Sequence, residues 1–289
     1  MRDDFAVFIL SHGRADKVVT VDALKTCGYT GVWYILVDDE DDQYDLYCKN
    51  YGKDRIIKFS KAEMDGKFDI MDNFDAGRQV PTFARNALPQ IAKDMGYTYF
   101  LELEDDYEVF SARTKTKDGK HLCQFYVRDL DSIIDEIIEF LDLSGAWTVT
   151  FAQDGDFLGG VNGNVYKKGI HRKAMQTFFC RTDTPWQFLG RFNDDVNAYV
   201  EWGKKGHLFM TVTALSVHQP ETQKNSGGIT DAYKTFGTYT KSFYSVMLNP
   251  SCVKIADMGQ SHRRIHHSID WKYAVPVIIS SKFRNYTEE

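Results

Sequence analysis

Three consecutive carboxylates, Glu104, Asp105 and Asp106, end the apolar and aromatic run that begins at Tyr97. A strand interior does not tolerate three adjacent charges, because burying each one unpaired costs on the order of several kcal/mol. The acids are therefore expected where a strand leaves its sheet, and in an open α/β sheet that carboxyl edge is where ligands bind. Positions 104 and 106 point to one side, a pair suited to one hard divalent cation and its bound phosphates. A second acidic run, Asp38 to Asp42, follows the apolar stretch 31–37. Asp38 and Asp39 are placed there to accept hydrogen bonds from a base N–H or from ribose hydroxyls. Arg14 and Arg85 are candidate phosphate contacts. In the loop 223–228, Lys224 offers a point charge and Gly227 and Gly228 permit close backbone approach, both apt for a diphosphate. Asp194 and Asp195 open a helical stretch, where the dipole favours carboxylates. His218 directly follows an apolar strand, and a neutral imidazole suits Mn²⁺. The plainer alternatives are a solvated turn at 38–42, a simple helix-start preference at 194–195 and a structural histidine at 218.

Such groups need strands that end along one edge. FAVFIL at 5–10 is continuously apolar, as a strand buried on both faces must be. The polar turn Ser11–Arg14 leads into a helix expected over roughly 16–27 and stopped by Gly28. A strand at 31–37, a helix at 43–51 and a strand at 55–60 follow. This alternation is that of a Rossmann-like, mostly parallel α/β sheet with helices on both faces. Thr82 is expected to cap a helix carrying Phe83, Ala87, Leu88, Ile91 and Ala92. Pro89 should either delay that helix to near Asn86 or kink it. Asp118-Gly119 reads as a hairpin turn. Helices are expected over 131–142, 194–205 and about 230–247, with strands over 147–152 and 208–217. The stretch 153–193 reads as binding loops.

The chain has 289 residues, 43% hydrophobic and 26% charged, the composition of a globular protein long enough for one large α/β domain or two small ones. No apolar run is long enough to span a membrane. The five cysteines are odd in number and widely spaced without C-x-x-C, which argues against a disulfide frame or a zinc site. With no secretory pattern at the N-terminus, a cytoplasmic location is expected. A net charge of −6 excludes tight non-specific nucleic-acid binding by the whole surface. Two local basic faces remain: Lys167, Lys168, His171, Arg172 and Lys173, and His262, Arg263, Arg264, His266, His267, Trp271 and Lys272. Nothing indicates an obligate protein partner.

The block ARNALPQIAKDMGYTYFLELEDD at 84–106 resembles the GT-A glycosyltransferase pattern of Ala-Arg-Asn, helix, Gly, apolar strand and acidic D-x-D element. More narrowly, the chain resembles the TET-associated glycosyltransferases of phages, relatives of the base J glucosyltransferases. ILSHGRADK, CGYTGVWYILVDDED, FLELEDDY, GRFNDDVNAYV, TQKNSGGITDAYKTFGTYTKSFYSVM and RRIHHSIDWKYAVPVI carry that resemblance, in order and over almost the whole chain. It implies a single GT-A domain over 1–289, with a nucleotide-sugar half at 1–110 and an acceptor-side half at 111–289. It also implies transfer from a UDP-sugar (UDP-glucose or a UDP-N-acetylhexosamine) with Mn²⁺ or Mg²⁺. The acceptor would be the hydroxymethyl group of 5-hydroxymethylcytosine or 5-hydroxymethyluracil in DNA.

By the same resemblance Ser11, Arg14, Asp38 and Asp39 would face the nucleotide, and Glu104 or Asp105 would meet ribose or metal. Asp106 would be the principal metal ligand, with His218 completing the shell. Arg85, Lys224, Gly227 and Gly228 would serve the phosphates. Asp195, or Asp194, would deprotonate the acceptor in an inverting reaction and face the sugar in a retaining one. Glu104 departs from the family's first Asp, and its longer arm moves that contact outward. A non-DNA acceptor and a catalytically silent binding module are the competing expectations.

Overall fold

Every residue of β1 (Phe5–Leu10) is buried. Phe5, Val7 and Ile9 enter one hydrophobic core, while Ala6, Phe8 and Leu10 enter another on the opposite face. In the computed structural model, which describes residues 1–73, 78, 80–163, 173–220, 233, 237, 239–258 and 264–276, this strand is central to the larger sheet. It pairs in parallel with β2 (Trp33–Asp38), and β2 pairs in parallel with β3 (Ile56–Phe59). On its other side it pairs in parallel with β4 (Tyr99–Glu104). The remaining strands of that sheet are β5 (Val109–Lys115), β6 (Leu122–Tyr126), β7 (Thr148–Gln153), β8 (Phe178–Arg181) and β9 (Phe209–His218). Among the described residues their order is β3-β2-β1-β4-β8-β7-β9-β5-β6, nine strands. Only β5 and β8 run against the common direction, as their antiparallel pairings show. A separate antiparallel hairpin joins β10 (Val253–Met258) to β11 (Arg264–Ile269).

Helices cover both faces, as the strand–helix alternation implies. One core takes α1 (Val19–Thr26), α2 (Tyr44–Tyr51) and α4 (Leu130–Ser144); the other takes α3 (Thr82–Asp94) and α5 (Asp194–Lys204). A sixth helix, α6 (Thr240–Leu248), contacts α5, β10 and β11. Ile134, Ile137, Ile138 and Leu141 form the buried stripe of α4, which Asp129 caps and Gly145 ends in the left-handed conformation at φ +65°. Among the described residues no helix is long and apolar enough to cross a membrane.

Several elements differ from the sequence expectation. Helix α1 starts at Val19 because the backbone N–H groups of Arg14 and Ala15 are held by the side chains of Tyr47 and Gln43, which keeps that segment in a turn. Helix α3 starts at Thr82 and runs through Pro89, so the delayed start near Asn86 does not occur. Thr82 does not cap it; its hydroxyl donates to the Gly190 carbonyl at 3.0 Å and to Asp194 at 3.2 Å, which ties the first turn down. The stretch 153–193 contains β8, and the His-rich stretch contains β11. Part of the segment expected as a helix over 230–247 lies outside the described residues.

Gly190 stands at φ +83° just before α5, where an added Cβ would lie 2.8 Å from the Asn197 amide nitrogen and 3.1 Å from the Met71 sulfur. Gly190→Ala is expected to destabilise the fold by more than about 1 kcal/mol, read as a lower urea midpoint. An unchanged midpoint would show that this loop relaxes freely.

Candidate active site

Burial decides the fate of the acids at the end of β4. Arg85 projects from α3 and is only 4% exposed. Its Nε donates to Glu102 at 2.9 Å, Nη2 to Glu104 at 2.8 Å and Nη1 to both oxygens of Asp194 at 2.9 and 3.0 Å. The rings of Phe178 and Phe188 lie with centroids 5.4 Å from the guanidinium carbon. Burial disfavours this cation, but Asp194, Glu102 and Glu104 outweigh it and hold Arg85 well above its usual range. Burial also pushes the Glu102 carboxyl up to about 7, with Arg85 pulling the other way. Arg85, expected at a phosphate, thus organises the acids from behind. Glu104 keeps 32% of its side chain exposed and is raised by burial and by the charges of Asp106, Glu102 and Asp105.

The next acid of the triplet, Asp105, points elsewhere. Asp105 is buried, accepting from Ser11 Oγ at 2.6 Å and from Arg14 Nη1 at 2.7 Å. These three predicted nucleotide contacts therefore form a clamp between β1 and β4. Asp106 is half-buried. Thr20 of α1 pins the turn, donating to the Glu104 carbonyl at 2.6 Å and accepting from the Tyr107 N–H at 2.9 Å.

At the end of β2, Asp38 is buried between His12 Nδ1 at 2.7 Å and Lys61 Nζ at 3.0 Å. Burial raises this carboxyl, yet the His12 hydrogen bond and the Lys61 charge outweigh it and leave Asp38 below its usual range. Asp41 accepts from the Gly13 N–H at 2.7 Å. Asp39 is exposed, accepting from the Lys61 N–H at 3.0 Å, and is the acid of this pair that faces outward.

The first turn of α5 separates its two acids. Asp194 is buried on Arg85 and Thr82, whereas Asp195 is half-exposed, with Oδ1 accepting from the N–H of Val196 at 2.7 Å. Burial raises the Asp195 carboxyl, the neighbouring Asp194 adds to that, and Arg85 offsets it only in part. Asp195 is the member of the pair open to solvent.

His218 ends β9 with 47% of its side chain exposed; its Nδ1 bonds to Asp154 and its Nε2 lies 3.5 Å from Glu108. Its recorded partners are thus neither Glu104 nor Asp106. Among the described residues no group of three or more His, Cys, Asp or Glu side chains could hold a metal ion. Lys224, Gly227 and Gly228 lie outside the described residues, as do Lys167, Lys168, His171, Arg172, His262 and Arg263. Of the expected basic faces, Lys173 pairs with Asp156 and Trp271 stacks on Tyr199 at 5.8 Å. Sequence reasoning missed Glu102, Thr82, Thr20, His12 and Lys61 as parts of this site. Only Glu102, an acid inside an apolar run, carried a local signal, because a buried charge demands a partner.

The sequence profile described as TET-Associated Glycosyltransferase matches residues 5–228. No curated protein matches the chain. Among solved structures, the chain is similar to glucosyl-3-phosphoglycerate synthase from Mycobacterium tuberculosis in complex with Mn²⁺ and uridine-diphosphate-glucose. That comparison has 7% identity and a TM-score of 0.48, covering 92% of this chain and 86% of the other. The chain is also similar to S. aureus TarS 1–349 in complex with UDP-GlcNAc, with 11% identity and a TM-score of 0.45, covering 90% and 69%.

Removing Arg85 leaves Glu102 and Asp194 buried without their cation. Arg85→Met is expected to lose about 3–5 kcal/mol of stability. Without the guanidinium, the folded-state carboxyl of Glu102 rises further above its unfolded value. The loss should therefore grow as pH rises from about 7, the wild-type value, toward the higher value of the variant. Urea midpoints of both proteins from mildly acidic to alkaline pH would check this, and a difference that does not grow above neutral pH would count against it.

Proposed function

The chain belongs to the TET-associated glycosyltransferase family, and we propose that it transfers a sugar from a UDP-sugar to the hydroxymethyl group of a 5-hydroxymethylpyrimidine in DNA. The observation that carries this reading is the shared guanidinium. Arg85 holds Glu104 at 2.8 Å and Asp194 at 2.9 Å, so a donor-side acid and the neighbour of the candidate base sit in one rigid frame.

In this reading Asp39 faces the nucleotide, while Asp38 and Asp105 hold the turns that shape its site. Glu104 and Asp106 would hold the divalent cation. Mg²⁺ sites of this kind commonly take one or two carboxylates and complete the shell with water and substrate phosphates, which suits the hard oxygen donors of Glu104 and Asp106. Once bound, the cation would supply positive charge for the departing diphosphate. By the family resemblance Lys224 would add positive charge for the diphosphate. His218 is a third candidate ligand, and recruiting its Nδ1 would mean releasing Asp154. Asp195 accepts the proton of the acceptor hydroxyl, which is too weak an acid to ionise unaided at neutral pH. Its raised carboxyl brings its basicity nearer that task, and Asp194 stays on Arg85.

The direct test is UDP release from a panel of UDP-sugars with Mn²⁺, using DNA that contains hydroxymethylcytosine, hydroxymethyluracil or neither. Release that requires both metal and one modified DNA, with the matching mass gain on the DNA, is expected. Metal-dependent release indifferent to DNA would move the acceptor elsewhere, and no UDP binding at all would overturn the reading. Within an active enzyme, Asp106→Asn should abolish transfer while leaving the melting temperature near wild type. Asp195→Asn should lower turnover by about 100-fold or more, whereas Asp194→Asn should chiefly lower stability. Equal turnover for Asp195→Asn and wild type would remove Asp195 from the base role.

A further inference from the structure

Asn193, immediately before α5, has a left-handed backbone at φ +53°. Asparagine is among the few residues that adopt this conformation at modest cost, and here the side chain holds the turn in place. Its Nδ2 donates to Ser245 Oγ on α6 at 3.1 Å and to His267 Nδ1 on β11 at 3.0 Å. Ser245 Oγ passes the chain on, donating to Asn197 Oδ1 at 2.8 Å. Asn197 Nδ2 closes it back onto the Leu189 and Phe192 carbonyls at 2.8 and 3.1 Å. Asn197 and Ser245 are buried, whereas Asn193 and His267 are half-buried, so the inner end of the network is shielded from water and its outer end can still be hydrated. Burial, with His266 and Lys241 adding to it, pushes the His267 imidazole down to about 3. The ring is therefore neutral at working pH, and Nδ1 is free to accept.

The turn so held is the one that sends Asp194 inward to Arg85 and leaves Asp195 outward. We infer that His267 is a positioning residue of the active site, which sets the left-handed Asn193 turn and through it the direction of Asp195. The hairpin β10–β11, beyond the matched residues 5–228, is then part of the catalytic apparatus. This rests on the transferase reading, in which Asp195 is the base.

The test compares His267→Leu, His267→Gln, Asn193→Ala and the double variant Asn193→Ala/His267→Leu in the full chain. His267→Leu is expected to lower kcat about 10- to 100-fold, with KM for the UDP-sugar, UDP affinity and melting temperature near wild type. His267→Gln, whose amide oxygen can accept from Asn193, should restore most of the loss. The double variant should be no slower than the worse single variant, because both changes remove one contact. Unchanged turnover in His267→Leu, equal loss in the Leu and Gln variants, or a loss that follows UDP affinity or melting temperature would each overturn the proposal. Nitrogen NMR of the imidazole reads the contact without activity. The wild type should carry its proton on Nε2, and Asn193→Ala should shift that tautomer balance; a proton on Nδ1 in the wild type would overturn the geometry. A wild type that neither binds nor releases UDP would instead overturn the transferase reading, and the role given to His267 with it.

Discussion

One buried guanidinium among three carboxylates is the constraint on which the site depends. Arg85 takes Glu102 and Glu104 from β4 and Asp194 from α5. Phe178 and Phe188 flank it and keep the surroundings dry. Excluding water strengthens every charge interaction there and makes any unpaired charge costly. The three acids outnumber the one cation, and burial keeps the Glu102 and Glu104 carboxyls above their usual range. A pocket short of positive charge is electrostatically suited to a divalent cation with its diphosphate. In the proposed reaction, the group that stabilises the fold and the group that prepares the donor site are the same.

The row of three acids works because its members part company. Glu104 turns toward Arg85, and Asp105 turns toward Ser11 and Arg14, joining β4 to the turn after β1. The antiparallel strand β8 matters in the same place, for its register sets Phe178 opposite Glu102 and so builds one aromatic wall of the Arg85 site. A purely parallel sheet would have brought a different strand end to that position. The sheet's irregularity is thus part of how the acids are held.

The end of β4, where the proposed site lies, was legible from the sequence because continuous apolar runs must be buried and a row of charges cannot be. FAVFIL and the acids after Leu103 fixed a strand and its end without reference to any other part of the chain. The role of Arg85 was not legible in that way. A buried arginine and a phosphate-binding arginine look alike locally, and Asp194 stands 109 residues further on. His12 and Lys61 escaped notice for the same reason, since only the fold brings them to Asp38. Strand β8 has four residues, FFCR, too few to show a period, and the alternation in β11 was hidden by its two histidines.

The division between Asp194 and Asp195 follows from simple electrostatics. Two adjacent carboxylates at a helix start repel each other, and the dipole offsets that only in part. Giving one of them to Arg85 satisfies it and fixes the helix, while burial, with the field of that acid adding to it, keeps the other proton-hungry. A base needs such an affinity for protons without being locked by hydrogen bonds to a strong donor. The left-handed Asn193 makes that division geometrically possible, because it reverses the chain just before the pair and lets one side chain turn inward while the next stays out. What looks like a redundant acidic pair is, in the proposed reaction, a support and a reactive group on adjacent residues.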